Sequence, residues 1–248
     1  MPGSIRKLFA AIGIAALAVS SSVNVASAAE STPSSVAAIE PAAGAVVGVG
    51  YPLTVTFSGP VTNRPAAEKS LKVSTSGTDE GTFSWLGDNV MQWQPTGFWP
   101  AHSTVALSVG GFKSSFETGS AVVGVADIDA HTFTVSIDGQ VVRTMPASMG
   151  KPKHPTPIGS FTALAKEKSV VMDSRTIGIP LSDPEGYKLT VADAVRVTWG
   201  GVYVHSAPWS VGSQGYSNVS HGCINLSPDN ASWYFDKVNI GDPIIVQQ

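Results

Sequence analysis

From Ala37 onward the chain is built of short runs in which apolar and polar residues alternate, each closed by Gly, Pro, Asn, Asp or Ser. A period of two with such punctuation predicts strands that bury one face. The runs Pro52–Phe57, Ser70–Ser74, Gly81–Trp85, Val90–Gln94 and Thr104–Val109 predict a small β-sandwich of immunoglobulin type over residues 37–120. Trp85, Trp93, Phe98 and Trp99 are read as its core or as packing for the next domain, with a sugar-stacking face as the alternative. A second unit starts near Val122. Thr132–Ile137, Asp138-Gly139 and Gln140–Met145 read as a hairpin, because Asp-Gly supplies the positive φ angles of a type I′ turn. Gly200–His205 reads as a strand with His205 at its end. Ser227-Pro228-Asp229 reads as a helix start, with a hydroxyl cap, Pro in the first turn and an acid near the positive pole. That helix stops before Gly241, and Pro243–Val246 closes the chain as a strand. Ser169–Ala192, with Gly178, Pro180, Pro184 and Gly186, reads as a long loop or loose hairpin able to close over a site. The expected fold is mainly β, with one short helix in residues 121–248.

The first residues break this pattern. Arg6 and Lys7 precede an apolar run from Leu8 to Val19, and Ala26-Ser27-Ala28 offers a small-x-small cleavage site, so residues 1–28 read as a secretory signal. The apolar run is short of the ~20 residues that a membrane span needs, so an uncleaved anchor is the secondary reading and the only expected membrane contact. Residues 29–36 read as a polar linker. Of 15 basic and 18 acidic residues, Arg6 and Lys7 leave with the signal, which gives a mature charge of about −5. That balance invites no nucleic acid. The expected location is outside the cytoplasm, in a periplasm-like space or the cell wall.

Cys223 is the single cysteine of the 248 residues, so it forms no internal disulfide. A free thiol in an exported protein is open to oxidation, which points to a chemical use. It lies in Ser220-His221-Gly222-Cys223-Ile224-Asn225, fourteen residues after the segment that ends in His205. An imidazole in reach of a thiol accepts its proton and stabilises the thiolate. His221 is so near in sequence that it shapes the pocket more readily than it reaches the sulfur. His205, on a separate strand, is the expected base, with the Ser206 carbonyl fixing its tautomer. Gly222 permits a tight turn that aims its own N–H and that of Cys223 at a developing oxyanion, and Asn225 braces the turn. His102, His131 and His154 read as surface imidazoles. His205, His221 and Cys223 are metal-ligand types, yet no second cysteine or carboxylate stands at ligand spacing, so no metal is expected.

His205, fourteen residues, then Ser220-His221-Gly222-Cys223-Ile224-Asn225 resembles the signature of the L,D-transpeptidases with a YkuD-type catalytic domain. Thr156-Pro157-Ile158-Gly159-Ser160-Phe161 resembles that family's Thr-Pro-x-Gly-x-Phe segment. An immunoglobulin-like module before the catalytic domain is similar to the mycobacterial-type members. The resemblance implies a Cys223 nucleophile that attacks the bond between a diaminopimelate and the terminal D-Ala of a peptidoglycan tetrapeptide stem. D-Ala leaves, and the resulting thioester passes to the side-chain amine of a second stem as a 3→3 cross-link. It also implies acylation by carbapenems and no cofactor. Met172, Tyr187 and Trp209 match positions lining the family's donor pocket, and Ser220 and Asn225 join them at the substrate.

Water in place of the amine would make the same site an L,D-carboxypeptidase. A papain-like endopeptidase places its cysteine before its histidine, the reverse of the order here. An inert wall-binding scaffold needs neither residue.

Overall fold

The computed structural model describes residues 35–77 and 80–248. The expected signal over 1–28 lies outside the described residues, as does the linker up to residue 34. Among the described residues no helix is long and apolar enough to cross a membrane.

The N-terminal module comprises β1 (Val36–Glu40), β2 (Val46–Val47), β3 (Leu53–Phe57), α1 (Arg64–Ser70), β4 (Lys72–Ser74), β5 (Gly81–Leu86), β6 (Val90–Pro95), β7 (Thr104–Val109) and β8 (Phe112–Thr118). They form two four-stranded sheets, β1-β3-β6-β5 and β2-β8-β7-β4. The alternation does what it predicts: Leu53, Val55 and Phe57 point inward with Met91 and Trp93, and meet Val105, Leu107, Val109 and Phe116 of the facing sheet. Trp93 and Trp99 are core, 5.3 Å apart. Trp85 is half-buried against Phe57, whereas Phe98 is exposed. Two features depart from expectation. Val36 pairs with Phe57 in β1, inside the stretch read as linker. Residue Ser70, read as the start of a strand, instead ends α1, which Asn63 caps by accepting from the Ala66 N–H with Pro in its first turn. This helix buries none of its side chains, so it leaves no apolar period to read.

The second module comprises β9 (Val122–Asp127), β10 (Thr132–Ile137), β11 (Gln140–Pro146), β12 (Gly159–Thr162), β13 (Ala165–Asp173), β14 (Lys188–Arg196), β15 (Tyr203–Ser206), β16 (Ile224–Leu226), α2 (Pro228–Lys237) and β17 (Pro243–Gln247). One sheet is ordered β11-β10-β9-β17-β12 and the other β13-β14-β15-β16. The β10–β11 turn has Asp138 and Gly139 at φ 49° and 80°, the pair that a type I′ turn requires. α2 starts as expected, its Ser227 side chain accepting from the Asn230 N–H, and Ala231, Tyr234 and Phe235 seal the core shared by the two sheets.

One expectation is met in its hairpin form and one needs correction. Residues 169–192 form a hairpin whose arms extend the ladder of β13 and β14, paired from Ala165↔Arg196 to Asp173↔Lys188. Only residues 174–187 form the loop. The run from Gly200 becomes strand only at Tyr203, since Gly201 at φ 101° closes a turn in which Val197 and Val202 pair.

The modules are joined by backbone. Gly48 and Gly50 donate to the carbonyls of Ile240 and Gly241 (both 2.9 Å), and Val49 donates to the carboxylate of the fully buried Asp242. A Cβ on Gly48 would collide with the backbone of Gly241 and Asp242, so this approach depends on glycine.

Candidate active site

β15 and β16 run side by side in parallel, with His205 opposite Asn225. Cys223, two residues before Asn225, falls on the same face as His205. This parallel pairing brings together two residues that the chain separates. His205 is 2% exposed, and its Nδ1 lies 2.8 Å from the Ser206 carbonyl oxygen. A carbonyl only accepts, so Nδ1 carries the proton and Nε2 keeps its lone pair. The tautomer expected of Ser206 is therefore in place.

The motif is stapled internally. Ser220 Oγ donates to the Cys223 carbonyl (2.7 Å) and accepts from the Gly222 N–H (3.1 Å). The Gly222 N–H, expected to face an oxyanion together with that of Cys223, is engaged by Ser220 in this structure. Gly222 has φ 117°, the left-handed region that favours glycine. Thr156 accounts for the upstream segment. Buried, it accepts from the Gly150 N–H and donates to the Gly222 carbonyl, both at 2.9 Å. Asn225 also differs from expectation. Its amide donates to Ser210 Oγ (3.2 Å), and its backbone exchanges hydrogen bonds with Ser148, so it braces the neighbouring loop rather than its own turn.

These groups open on a cavity of about 370 Å³ lined by His205, Ser220, His221, Cys223 and Asn225. Met172, Tyr187 and Trp209 line it as well, while Ser206 and Gly222 do not line it and instead bond to the lining residues His205 and Ser220. Trp209 is 55% exposed and stands 6.0 Å from the His205 ring. Tyr187 lies 5.0 Å from His221. The thiol's hydrogen bond goes to the Gly201 carbonyl at 3.6 Å and not to His205, so the expected pair shares a cavity without being hydrogen-bonded to each other. Such contacts are often long before substrate binds.

The description "L,D-transpeptidase catalytic domain" matches residues 121–246. The chain belongs to the L,D-transpeptidase family. A bacterial Ig domain description matches residues 13–110. L,D-transpeptidase 1 of Mycobacterium tuberculosis is 58% identical over 246 residues, covering 98% of each chain. A solved L,D-transpeptidase from Mycobacterium smegmatis is 73% identical, with a TM-score of 0.84 over 88% of this chain and 100% of its own. The LD transpeptidase LdtMt1 in complex with imipenem is 62% identical, with a TM-score of 0.82 over 87% of this chain and 100% of its own.

In this transpeptidase, burial sets the resting protonation of the pair. It pushes the Cys223 thiol up to about 11, partly offset by a backbone hydrogen bond from Tyr203. It also pushes His205 down to about 4, against the opposing bond to Ser206. Both shifts disfavour the charged forms of the thiol and the imidazole. The apolar wall behind the sulfur, formed by Val191, Ala194, Tyr203, Met172 and Leu189, is the cause.

Sequence reasoning missed the charged rim of the transpeptidase cavity. Lys151 and Glu185 line it, and Lys151 Nζ bonds to the Glu185 carboxylate. Lys153 holds the other carboxylate oxygen at 2.6 Å, and the two lysines hold Glu185 at about 2. His154, expected on the surface, stacks 5.0 Å from His221 and lies 3.6 Å from Glu185. His154, Glu185 and His221 have ligand atoms within 4.8 Å of one another, but the Lys151 ammonium already contacts Glu185 and lies 3.3 Å from His221 Nε2. His131 meets Asn218, and His102 meets Asp138. A lysine and a glutamate 34 residues apart carry no signature in one sequence.

Proposed function

We propose that the enzyme forms 3→3 peptidoglycan cross-links through a thioester on Cys223, with tetrapeptide stems as donors. His205 Nε2 takes the proton of Cys223 as Sγ attacks the carbonyl of the bond between diaminopimelate and D-Ala. The oxyanion is met by the Cys223 N–H. As the C–N bond breaks, the D-Ala nitrogen takes the proton from Nε2 and leaves, and the thioester remains. The amine of a second stem then attacks, gives its proton to Nε2 and expels the thiolate, which is reprotonated. The observation that carries this reading is the locked Nδ1–H tautomer of His205, which leaves a basic nitrogen in the same cavity as the chain's one thiol. The complex of a close relative with imipenem supports acylation of Cys223 by carbapenems.

The start of the chain supports export, with the module of residues 37–120 holding the catalytic domain of residues 121–248 at the wall. The test is mass analysis of products from purified tetrapeptide stems. Dimers lighter by one D-Ala are expected. Trimmed monomers alone would overturn transfer in favour of an L,D-carboxypeptidase.

A further inference from the structure

We propose that Lys151 is the carboxylate-binding residue of the donor subsite, and that Glu185 occupies it when no substrate is bound. This rests on the reading of the site as one that cleaves a C-terminal D-Ala.

Lys151 is held beside the nucleophile by backbone rather than by its own flexible stem. Gly150 bridges to Ser220 in parallel, the Lys151 N–H donates to the Ser220 carbonyl at 3.0 Å, and its carbonyl accepts from the His154 N–H at 2.8 Å. Gly150 is obligatory, since a Cβ there would strike the backbone of His154, Pro155 and Thr156. The Lys151 backbone is thus anchored at Ser220, the start of the Cys223 motif, and Lys151 lines the same cavity as Cys223. Its partners are the Glu185 carboxylate and, at 3.3 Å, His221 Nε2. His221 is pushed below its usual value, first by burial and then by Lys151. It stays neutral and accepts from the ammonium.

Glu185 has two cations. Lys153, 69% exposed at its side chain, holds Oε2 from outside while Lys151 holds Oε1 from the cavity. A carboxylate entering the cavity takes Lys151, and Glu185 stays paired with Lys153. Every charge has a partner before and after the exchange, so the exchange avoids stranding a half-buried ion. Glu185 sits in the loop between β13 and β14, the part of that hairpin outside the ladder. The donor supplies the matching group: the leaving D-Ala carries a free carboxylate one residue beyond the attacked carbonyl.

The test compares a tetrapeptide donor ending in D-Ala with one ending in D-Ala carboxamide, with purified enzyme and a common acceptor. A third donor is amidated at the diaminopimelate carboxylate. Wild type should prefer the acid terminus by about tenfold to a hundredfold in kcat/KM, the range of a charge-assisted bond. Lys151→Met should erase the preference by losing far more activity on the acid than on the carboxamide. Lys151→Arg should restore part of it. Glu185→Gln, which removes the competing occupant, should lower KM for the acid donor more than for the carboxamide. Equal use of acid and carboxamide by wild type, or a preference that survives in Lys151→Met with a wild-type circular dichroism spectrum, would overturn the proposal. A preference that tracks the diaminopimelate carboxylate would also overturn it. Release of D-Ala from neither stem would instead sink the reading of the site itself.

Discussion

At the scale of single residues, the site sets a buried imidazole and a half-buried thiol against their substrate. Desolvation holds the Cys223 thiol high and the His205 imidazole low, so the charge-separated state exists only during attack. The sign of the pH dependence follows. A neutral thiol gains thiolate as pH rises toward about 11, so alkylation of Cys223 by iodoacetamide is expected to climb through pH 9 and beyond. A plateau between pH 6 and 8 would reveal a preformed ion pair. Cys223→Ala is expected to lose the mass shift on imipenem treatment while keeping its unfolding midpoint. Thr156→Val removes both an acceptor for Gly150 and a donor to Gly222. Leaving two buried backbone groups unpaired should cost about 2 to 4 kcal/mol, read by urea denaturation, and should slow acylation, because Gly222 sets the turn under Cys223.

Among the elements, α2 and the β13–β14 hairpin divide stability from access. α2 presses Tyr234 into the core 4.8 Å from Phe133, yet the Tyr234 hydroxyl is buried with no partner among the described residues. An unpaired buried hydroxyl costs rather than contributes. Tyr234→Phe should therefore be neutral or stabilising by about 1 kcal/mol in thermal or urea unfolding, and a loss of stability would reveal a hidden partner. The hairpin was readable only in part. Its apolar alternation was visible, but Gly178, Pro180, Pro184 and Gly186 lie close together and suggested a longer loop than residues 174–187. Ladder pairing up to Asp173↔Lys188 comes from cross-strand neighbours, which a single strand's sequence does not display.

Across the whole molecule, the seam between the modules contains a fully buried acid. Burial raises Asp242 to about 6, against bonds from the N–H groups of Asn239, Val49 and Val122. The folded state thus holds this proton more tightly than the unfolded chain, whose value is near 3.8. Between pH 4 and 6 the native protein binds more protons, so stability contributed here falls as pH rises through that window. The full span is about 3 kcal/mol at ~1.4 kcal/mol per pH unit. Urea midpoints across pH 4 to 6 should show this fall in wild type and its absence in Asp242→Asn. That variant will be weaker at every pH, because an amide N–H would face a backbone donor.

Alternation, turn residues and caps act within a few residues of chain, and so the sandwich strands, the Asp138-Gly139 turn, the start of α2 and the Cys223 motif were all readable in order. The strand position of His205 was readable too. What pairs across distance was decided by packing: the parallel seating of β15 on β16, the diversion of the Gly222 N–H to Ser220, the reach of Asn225 to Ser210, and the Lys151–Glu185 rim. Each of these joins groups whose separation along the chain bears no relation to their separation in space. Local preference is blind to them, and only closure of the two sheets around one core brings them into contact.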